Sequence, residues 1–133
     1  MIKVGIIGST GYAGQELVRI LLGHKEADIR WYGSRSYAGE AYADVFRNMF
    51  QLVPDLCKGE DLEKLCEEVD VIFTATPQGL CSTLVSEEIL SKVKIIDLSA
   101  DFRIRMWIPM RNGTASNTAA RSLSGRQCTV SVK

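Results

Sequence analysis

The fold is indicated most clearly by residues 2–23, which read IKVGIIGSTGYAGQELVRILLG. The first six residues of this stretch are an apolar run typical of a strand at the centre of a parallel sheet. Apolar residues from Leu17 to Leu22 then recur at the spacing of an amphipathic helix, and Gly23 is a typical residue for ending it. A glycine-rich turn, residues 8–14, joins the two segments. The stretch therefore predicts a strand, a turn and a helix, the beginning of a βαβ unit.

Similar apolar runs and helical stripes alternate along the chain as far as residue 98. This alternation predicts an α/β fold with a doubly wound parallel sheet. Residues 34–60 mix Ser, Gly, Ala and aromatic residues, and we predict a loop there with one short helix over 41–49. The remaining predicted strands are Ile29–Gly33, Val71–Ala75 and Val93–Leu98, and the remaining helices are Leu62–Glu68, capped by Asp61, and one that carries Leu80, Leu84, Val85, Ile89 and Leu90.

Length and composition limit the class of protein. The chain has 133 residues, about the size of one domain. Hydrophobic residues make up 46% and charged residues 24%, a balance that excludes a disordered chain. No apolar run approaches the ~20 residues of a membrane span, and the N-terminus lacks the pattern of a signal peptide. We therefore expect a cytoplasmic protein without a membrane partner. The net charge of zero gives no reason to expect a nucleic-acid partner.

Charge is distributed unevenly along the chain. All 16 acidic residues lie at or before Asp101, so residues 1–104 carry a formal charge of −5 and residues 105–133 a charge of +5. The apolar periodicity also stops near residue 105. Because such a segment has no apolar face to bury, we expect little order in it. We therefore divide the chain into a domain over 1–104 and a poorly ordered, aperiodic basic tail over 105–133.

The cysteines and the single histidine do not form a recognisable site pattern. Cys57, Cys66, Cys81 and Cys128 include no Cys-x-x-Cys pair, and His24 is the only histidine. A zinc site needs four ligands at short spacing, so we expect no metal. Buried or unreactive thiols in a reducing compartment are the simpler interpretation. His24 follows a helix end, and we expect it at the surface without a catalytic role.

The turn at residues 8–14 has the pattern GxxGxxG, a variant of the dinucleotide fingerprint GxGxxG. Gly8 permits a tight turn after the strand, Gly11 lets the backbone approach a pyrophosphate, and Gly14 lets the helix pack on the sheet. The helix N-terminus offers N–H groups and the positive end of its dipole. We therefore predict nucleotide binding here, with a tight turn that binds no ligand as the alternative. The predicted contact residues are Gly8, Ser9, Thr10, Gly11, Tyr12, Ala13 and Gly14.

The residues after the second strand indicate which cofactor binds. A site selective for NAD has an Asp or Glu there, which accepts hydrogen bonds from the ribose hydroxyls. This chain has Ser34, Arg35 and Ser36 instead. A planar guanidinium and two hydroxyl groups suit a phosphate, so NADP is the predicted cofactor. A solvated loop arginine is the alternative.

Two further segments leave predicted strands at the edge of the sheet where ligands bind. Thr76 and Pro77 follow one strand, and we expect them to line the ribose or the nicotinamide. A plain turn before a helix explains these two residues almost as well. Ser99 follows the last predicted strand and is a further candidate. Asp101 and Arg103 come next, either as a structural ion pair or as part of the site.

Residues 1–103 resemble the N-terminal part of the N-acetyl-γ-glutamyl-phosphate reductase family of arginine biosynthesis. The similar stretches are VGIIGSTGYAGQELVRILLGHKE (4–26), SRSYAG (34–39), EEVDVIFTATPQG (67–79) and KIIDLSADFR (94–103). GSTGYAG together with DLSADFR is more specific than the glycine pattern alone. Aspartate-semialdehyde dehydrogenases share the GxTGxxG start but do not usually combine it with SRSYAG and LSADFR.

The resemblance implies a Rossmann-like NADP domain and a second α/β domain, absent from this chain, that supplies catalysis. It implies reduction of a small-molecule substrate, N-acetyl-γ-glutamyl phosphate: a cysteine thiolate displaces phosphate, and NADPH then reduces the thioester to an aldehyde. The family's Gly-Cys-Tyr-Pro-Thr motif does not occur here, so no catalytic residue is assigned. The full-length enzyme is expected to be a homo-oligomer, and the present chain to be inactive alone. A semialdehyde dehydrogenase of related fold and a non-enzymatic nucleotide-binding sensor stay open as alternatives.

The tail lacks the segments that follow DFR in this family. Codons can be assigned to residues 105–117 and 125–133 so that one alternative frame encodes DVDTYEKWYGIE and EAVYGLCE, and both strings resemble the family. We therefore hypothesise that residues from about 105 are a frameshifted translation. This hypothesis also explains why the tail has no acidic residue and no periodicity.

Overall fold

The computed structural model describes residues 1–99 and 128–129, and these residues contain a six-stranded parallel sheet. Its strands are β1 (Ile2–Ile7), β2 (Ala27–Gly33), β3 (Cys57–Lys58), β4 (Val71–Thr74), β5 (Lys94–Asp97) and β6 (Cys128–Thr129). The order across the sheet is β3-β2-β1-β4-β5-β6. The chain builds outward from β1 to β3 and then returns to the other side of β1 for the remaining strands. This arrangement confirms the predicted doubly wound α/β fold of the Rossmann type.

Helical segments connect the strands from β1 to β5. The longest, α1 (Tyr12–Leu22), buries Gly14 and Val18 and follows the stripe predicted from Leu17 to Leu22. The predicted third helix has its expected bounds, because the side chain of Asp61 caps it by accepting a hydrogen bond from the N–H of Lys64 at 3.4 Å. The other helical segments are α2 (Tyr42–Val45), a 3₁₀ turn (Arg47–Met49), α3 (Leu62–Glu68), α4 (Leu80–Leu84) and α5 (Glu87–Lys92).

The core is divided between two apolar clusters. Ile6 belongs to a cluster with Val18 and Tyr42, whereas its neighbour Ile7 belongs to a cluster with Leu65. All five side chains are fully buried. Consecutive residues of a strand point to opposite faces, so a strand covered on both sides must be apolar at every position. The apolar run from Val4 to Ile7, which is buried throughout, is therefore the sequence signature of the central place of β1.

The strand register brings the carboxyl ends of the central strands together. Ile7, which ends β1, is paired with Gly33 of β2 on one side and with Thr74 of β4 on the other. Thr74 is in turn paired with Asp97, which ends β5. The loops that follow these four strands therefore leave the sheet at one edge, which is where ligands bind in open α/β sheets.

Two parts of the sequence fold differently from the prediction. Within 34–60, the predicted single helix is instead α2 followed by the 3₁₀ turn, and the unpredicted two-residue strand β3 pairs with the end of β2. The helix predicted between residues 80 and 90 is divided into α4 and α5. The side chain of Ser86 starts α5 by accepting a hydrogen bond from the N–H of Ile89 at 3.4 Å, which separates the two helices.

The C-terminal tail contributes one element to the described structure. Cys128–Thr129 lie parallel to β5 as β6, inside the segment for which no regular element was predicted. Residues 100–127 and 130–133 lie outside the described residues, as do Asp101 and Arg103, so the domain boundary at 104 stays a prediction. None of the described helices is long and apolar enough to cross a membrane.

Candidate functional site

Gly8 and Gly14 are required by the fold of the turn after β1. Gly8 has a positive φ of 75°, and a Cβ atom there would lie 2.5 Å from the carbonyl oxygen of Ala75. A Cβ atom at Gly14 would lie 2.7 Å from the Cα atom of Ser9 and would also overlap the carbonyl oxygen of Gly8. A side chain at either position would displace backbone atoms, so both glycines let α1 pack closely on the end of β1.

Gly11 has different surroundings. Its φ of −76° is available to any residue, and a Cβ atom there would meet its nearest neighbour, the carbonyl oxygen of Gly8, at 3.5 Å. That distance is ordinary van der Waals contact, so packing within the described protein does not require a glycine. The missing side chain instead leaves open space in front of the helix, where a ligand could approach the backbone.

The first turn of α1 carries uncommitted backbone donors. Gln15 makes the first α-helical hydrogen bond, to the carbonyl oxygen of Gly11 at 2.8 Å. The N–H groups of Tyr12, Ala13 and Gly14 donate to no acceptor among the residues that the structure describes. The turn contains no acidic residue, and Tyr12 is 97% exposed. The N-terminus of α1 therefore combines N–H donors that have no described acceptor with the positive end of the helix dipole, and no acidic residue in the first turn offsets it. This combination favours the binding of an anion.

The serine and threonine hydroxyls of the turn bind to the end of β2. Ser9 is buried and donates both its N–H, at 2.9 Å, and its hydroxyl, at 3.0 Å, to the carbonyl oxygen of Gly33. The hydroxyl oxygens of Thr10 and Ser34 lie 2.9 Å apart and are hydrogen-bonded. The structure thus brings two predicted site segments together. The hydroxyl, the N–H and the carbonyl oxygen of Ser9 are all hydrogen-bonded within the protein, so this residue supports the turn.

Arg35 and Ser36 are exposed just beyond this junction. The Nε and Nη2 atoms of Arg35 lie 3.1 Å and 2.9 Å from a single oxygen, Oε2 of Glu60. Sequence analysis did not single out Glu60, because 25 residues separate it from Arg35 and only the pairing of β2 with β3 brings them together. An acidic group thus lies beside the predicted phosphate-binding arginine.

Tyr42 is a second residue that sequence analysis missed. Its side chain is fully buried, and its hydroxyl donates a hydrogen bond to the carbonyl oxygen of Ser9 at 2.8 Å. Its ring lies 5.0 Å from that of Tyr32 and 5.3 Å from that of Phe46, centroid to centroid. Burial raises the pKa of the Tyr42 hydroxyl, with smaller contributions from Cys57 and Tyr32, so it remains a donor. Tyr42 therefore supports the glycine-rich turn through its hydrogen bond to Ser9.

The segments after β4 and β5 hold the remaining candidates. The hydroxyl oxygen of Thr76 is buried and has no hydrogen-bond partner among the described residues, whereas Pro77 is exposed. The Cγ2 atom of Thr76 would lie 3.5 Å from a Cβ atom on Gly8, so Thr76 borders the turn. The Ser99 hydroxyl donates to the buried Asp97 carboxylate at 2.6 Å, and Asp97 also accepts from Thr74 at 2.8 Å. This network holds the strand ends in register.

The described thiols are not placed for catalysis. Cys57, Cys66 and Cys81 are buried, and burial raises the pKa of the first two thiols. The Thr74 hydroxyl lies 3.3 Å from the sulfur of Cys81. His24 is exposed after α1, where its Nδ1 atom accepts a hydrogen bond from the N–H of Glu26 at 3.3 Å. No group of three His, Cys, Asp or Glu side chains comes together within the described part of the chain.

Relatives of known name match most of this chain in sequence. A 105-residue stretch, 79% of the chain, is 70% identical to the N-acetyl-γ-glutamyl-phosphate reductase of Lachnospira eligens and 67% identical to that of Lachnoclostridium phytofermentans. The Campylobacter jejuni protein of the same name is 48% identical over 105 residues. The chain spans about 30% of the length of these curated relatives.

Solved structures show the same fold at lower identity. Aspartate semialdehyde dehydrogenase with NADP from Candida albicans matches with a TM-score of 0.63 and 20% identity, over 77% of this chain and 31% of that one. The dTDP-glucose 4,6-dehydratase of Bacillus anthracis, in complex with NAD, matches with a TM-score of 0.53 and 13% identity, over 92% of this chain and 46% of that one.

A family model described as the NAD binding domain of semialdehyde dehydrogenase matches residues 3–121. This range includes the glycine-rich turn, the end of β2 and both further candidate segments. The chain therefore belongs to the semialdehyde dehydrogenase family, as a member of its NAD-binding domain.

Proposed function

We propose that this chain is the NADP-binding part of an N-acetyl-γ-glutamyl-phosphate reductase. A relative of that name is 70% identical over 79% of the chain, and the stretches that carry the resemblance include residues at or just after the carboxyl ends of β1, β2, β4 and β5. The single observation that carries the proposal is the open first turn of α1. Three N–H donors without described acceptors face the space that the glycine at position 11 leaves. A pyrophosphate fits that chemistry.

Different segments of the chain bind different parts of the cofactor. The backbone from Gly11 to Gly14 binds the pyrophosphate, and Arg35, with the hydroxyl of Ser36, binds the phosphate on the adenosine ribose. The buried Ser34 hydroxyl, which is bonded to Thr10 and accepts from the N–H of Tyr37, positions this segment. The hydroxyl of Thr76, which has no hydrogen-bond partner among the described residues, lines the ribose or the nicotinamide, with Pro77 and Ser99 nearby along the same edge. When bound, NADPH supplies the hydride that converts an acyl group to an aldehyde. The chain itself orients that cofactor at the edge of the sheet.

Catalysis needs groups that the described residues do not provide. The whole enzyme reduces N-acetyl-γ-glutamyl phosphate in the cytoplasm, as a homo-oligomer. The cysteine nucleophile comes from a part of the enzyme with the Gly-Cys-Tyr-Pro-Thr motif. We further propose that residues from about 105 are a frameshifted translation. The nucleotide sequence through codons 100–140 tests it, and an intact single frame that encodes this tail within a complete gene would contradict it.

Cofactor choice tests the proposal through Arg35. Calorimetric titration should show that the chain binds NADPH more tightly than NADH, and that Arg35→Ala weakens NADPH alone, on the order of 10–100-fold, because a charge-assisted contact to phosphate is lost. Arg19→Ala is the matched control, since Arg19 is also an exposed arginine paired with an acid, Glu16, but lies far along α1. Equal affinities in the unaltered chain, or equal losses for both cofactors in Arg35→Ala, contradict the assignment.

A further inference from the structure

The ion pair between Arg35 and Glu60 is asymmetric. The Arg35 side chain is 64% exposed, whereas that of Glu60 is 11% exposed. The backbone on the Glu60 side is fixed, because the N–H of Ser34 donates to the carbonyl oxygen of Lys58 at 2.8 Å and the indole N–H of Trp31 donates to that of Gly59 at 2.9 Å. The Glu60 carboxylate is therefore the more fixed of the two groups, and the Arg35 guanidinium is the one that can reorient.

The geometry of the pair leaves part of the arginine available. Glu60 uses a single oxygen, Oε2, to accept from Nε and Nη2, which form one side of the guanidinium. The opposite donors, on Nη1 and the outer position of Nη2, still face away from Glu60. An incoming phosphate can thus bind the outer edge of Arg35 while Glu60 keeps the inner edge.

Such an arrangement has an electrostatic consequence. Arg35 is the only ion-pair partner of Glu60 within residues 1–99, so the carboxylate keeps its negative charge close to any anion that Arg35 binds. The other nearby cation, Lys58, is committed to Glu68 at 3.1 Å and lies over the Trp31 ring. A phosphate at Arg35 is therefore attracted by the guanidinium and repelled by the carboxylate behind it.

We infer that Glu60 is a specificity-determining residue of the cofactor site. Its carboxylate holds one edge of the Arg35 guanidinium and reduces the advantage that a cofactor with a 2′-phosphate gains over one without it. This inference rests on the proposed function, because it requires the adenosine ribose to lie at Arg35. It adds a residue after β3 to a preference that sequence analysis attributed to the end of β2 alone.

The test is the ratio of the NADPH and NADH dissociation constants, measured by calorimetry on the 133-residue chain and on Glu60→Gln. The amide keeps an oxygen that accepts from Arg35 and removes the charge. We expect NADPH to bind about two- to fivefold more tightly to Glu60→Gln, with NADH unchanged, because solvent screens the exposed Arg35 side of the pair. Glu63→Gln is the matched control, because Glu63 is exposed on α3 and forms no ion pair with a described residue.

A second pair of variants separates repulsion from positioning. If Glu60 repels the phosphate, adding Glu60→Gln to Arg35→Ala recovers part of the NADPH affinity that Arg35→Ala loses. An unchanged NADPH to NADH ratio in Glu60→Gln overturns the inference, and so does weaker NADPH binding, which would mean that Glu60 only orients Arg35. Failure of the proposed function is recognised separately, since the unaltered chain would then bind neither cofactor or would not distinguish them.

Discussion

The three glycines of the turn after β1 differ in what their missing side chains allow. At Gly8 and Gly14 a Cβ atom would collide with backbone, whereas at Gly11 it would meet its nearest atom at 3.5 Å. Gly8 and Gly14 are therefore required for the packing of α1, whereas Gly11 leaves space in front of the helix. The motif in the sequence identified all three positions, but only the structure separates these roles, because they depend on Ala75 and Ser9 rather than on spacing.

This difference predicts the effect of Gly11→Val. The variant should keep its circular dichroism spectrum and should lose dinucleotide binding, because a branched side chain would occupy the space that a pyrophosphate needs. Gly23→Val at the other end of α1 is the control. A Cβ atom at Gly23 also meets its nearest atom, the carbonyl oxygen of Ile20, at 3.5 Å, and this variant should bind normally. Normal binding by a folded Gly11→Val protein would disprove the role of the turn.

Among the elements, the segment from β2 to β3 was the least predictable. It contains α2, the 3₁₀ turn and β3, all short and without a periodic stripe. Tyr42 is buried there because its ring packs on Tyr32 and Phe46 and its hydroxyl reaches Ser9, 33 residues earlier. No local pattern indicates such a contact. By contrast, β1, α3 and the C-terminal end of α1 were predicted with the bounds they have, because each has a regular apolar pattern or a capping residue.

Tyr42→Phe tests whether this segment supports the turn. The variant leaves the carbonyl oxygen of Ser9 without its donor, so we expect a loss of about 1–3 kcal/mol in the free energy of unfolding. Because the turn is then less firmly held, NADPH should also bind several-fold more weakly at a temperature where the protein is fully folded. Tyr37→Phe, in the same segment but 40% exposed, is the control for both measurements. Unchanged NADPH affinity in Tyr42→Phe would limit Tyr42 to a structural role.

For the whole molecule, the carboxyl ends of β1, β2, β4 and β5 share one edge of the sheet, where we propose that the cofactor binds. The α/β fold class and the family were predictable, since strands and helices alternate along the chain and several long motifs resemble one family. The pairing of Cys128–Thr129 with β5 was not, because a two-residue strand carries no periodic signal. The relatives are about three times longer than the chain, so their activity need not belong to it.

We predict that the purified 133-residue chain does not catalyse phosphate-dependent oxidation of N-acetylglutamate semialdehyde with NADP. That reaction needs a thiolate held next to the nicotinamide, and orientation of this kind contributes ~7–11 kcal/mol to a rate. The thiols of Cys57, Cys66 and Cys81 are buried, and burial raises the pKa of the first two. The measurement is NADPH formation followed by absorbance. Turnover that disappears in Cys81→Ser or Cys128→Ser would show that this chain holds its own nucleophile.

We expect a dinucleotide to bind across the turn after β1 and the end of β2. Backbone amide NMR during a titration with NADPH measures this most directly, because each residue reports its own surroundings. We expect the largest shift changes at Gly11–Gly14 and at Ser34–Ser36, with those at the opposite end of α1, around His24, unchanged. Shifts confined to other surfaces, or no shifts at saturating NADPH, would show that the dinucleotide does not bind across this turn and the end of β2.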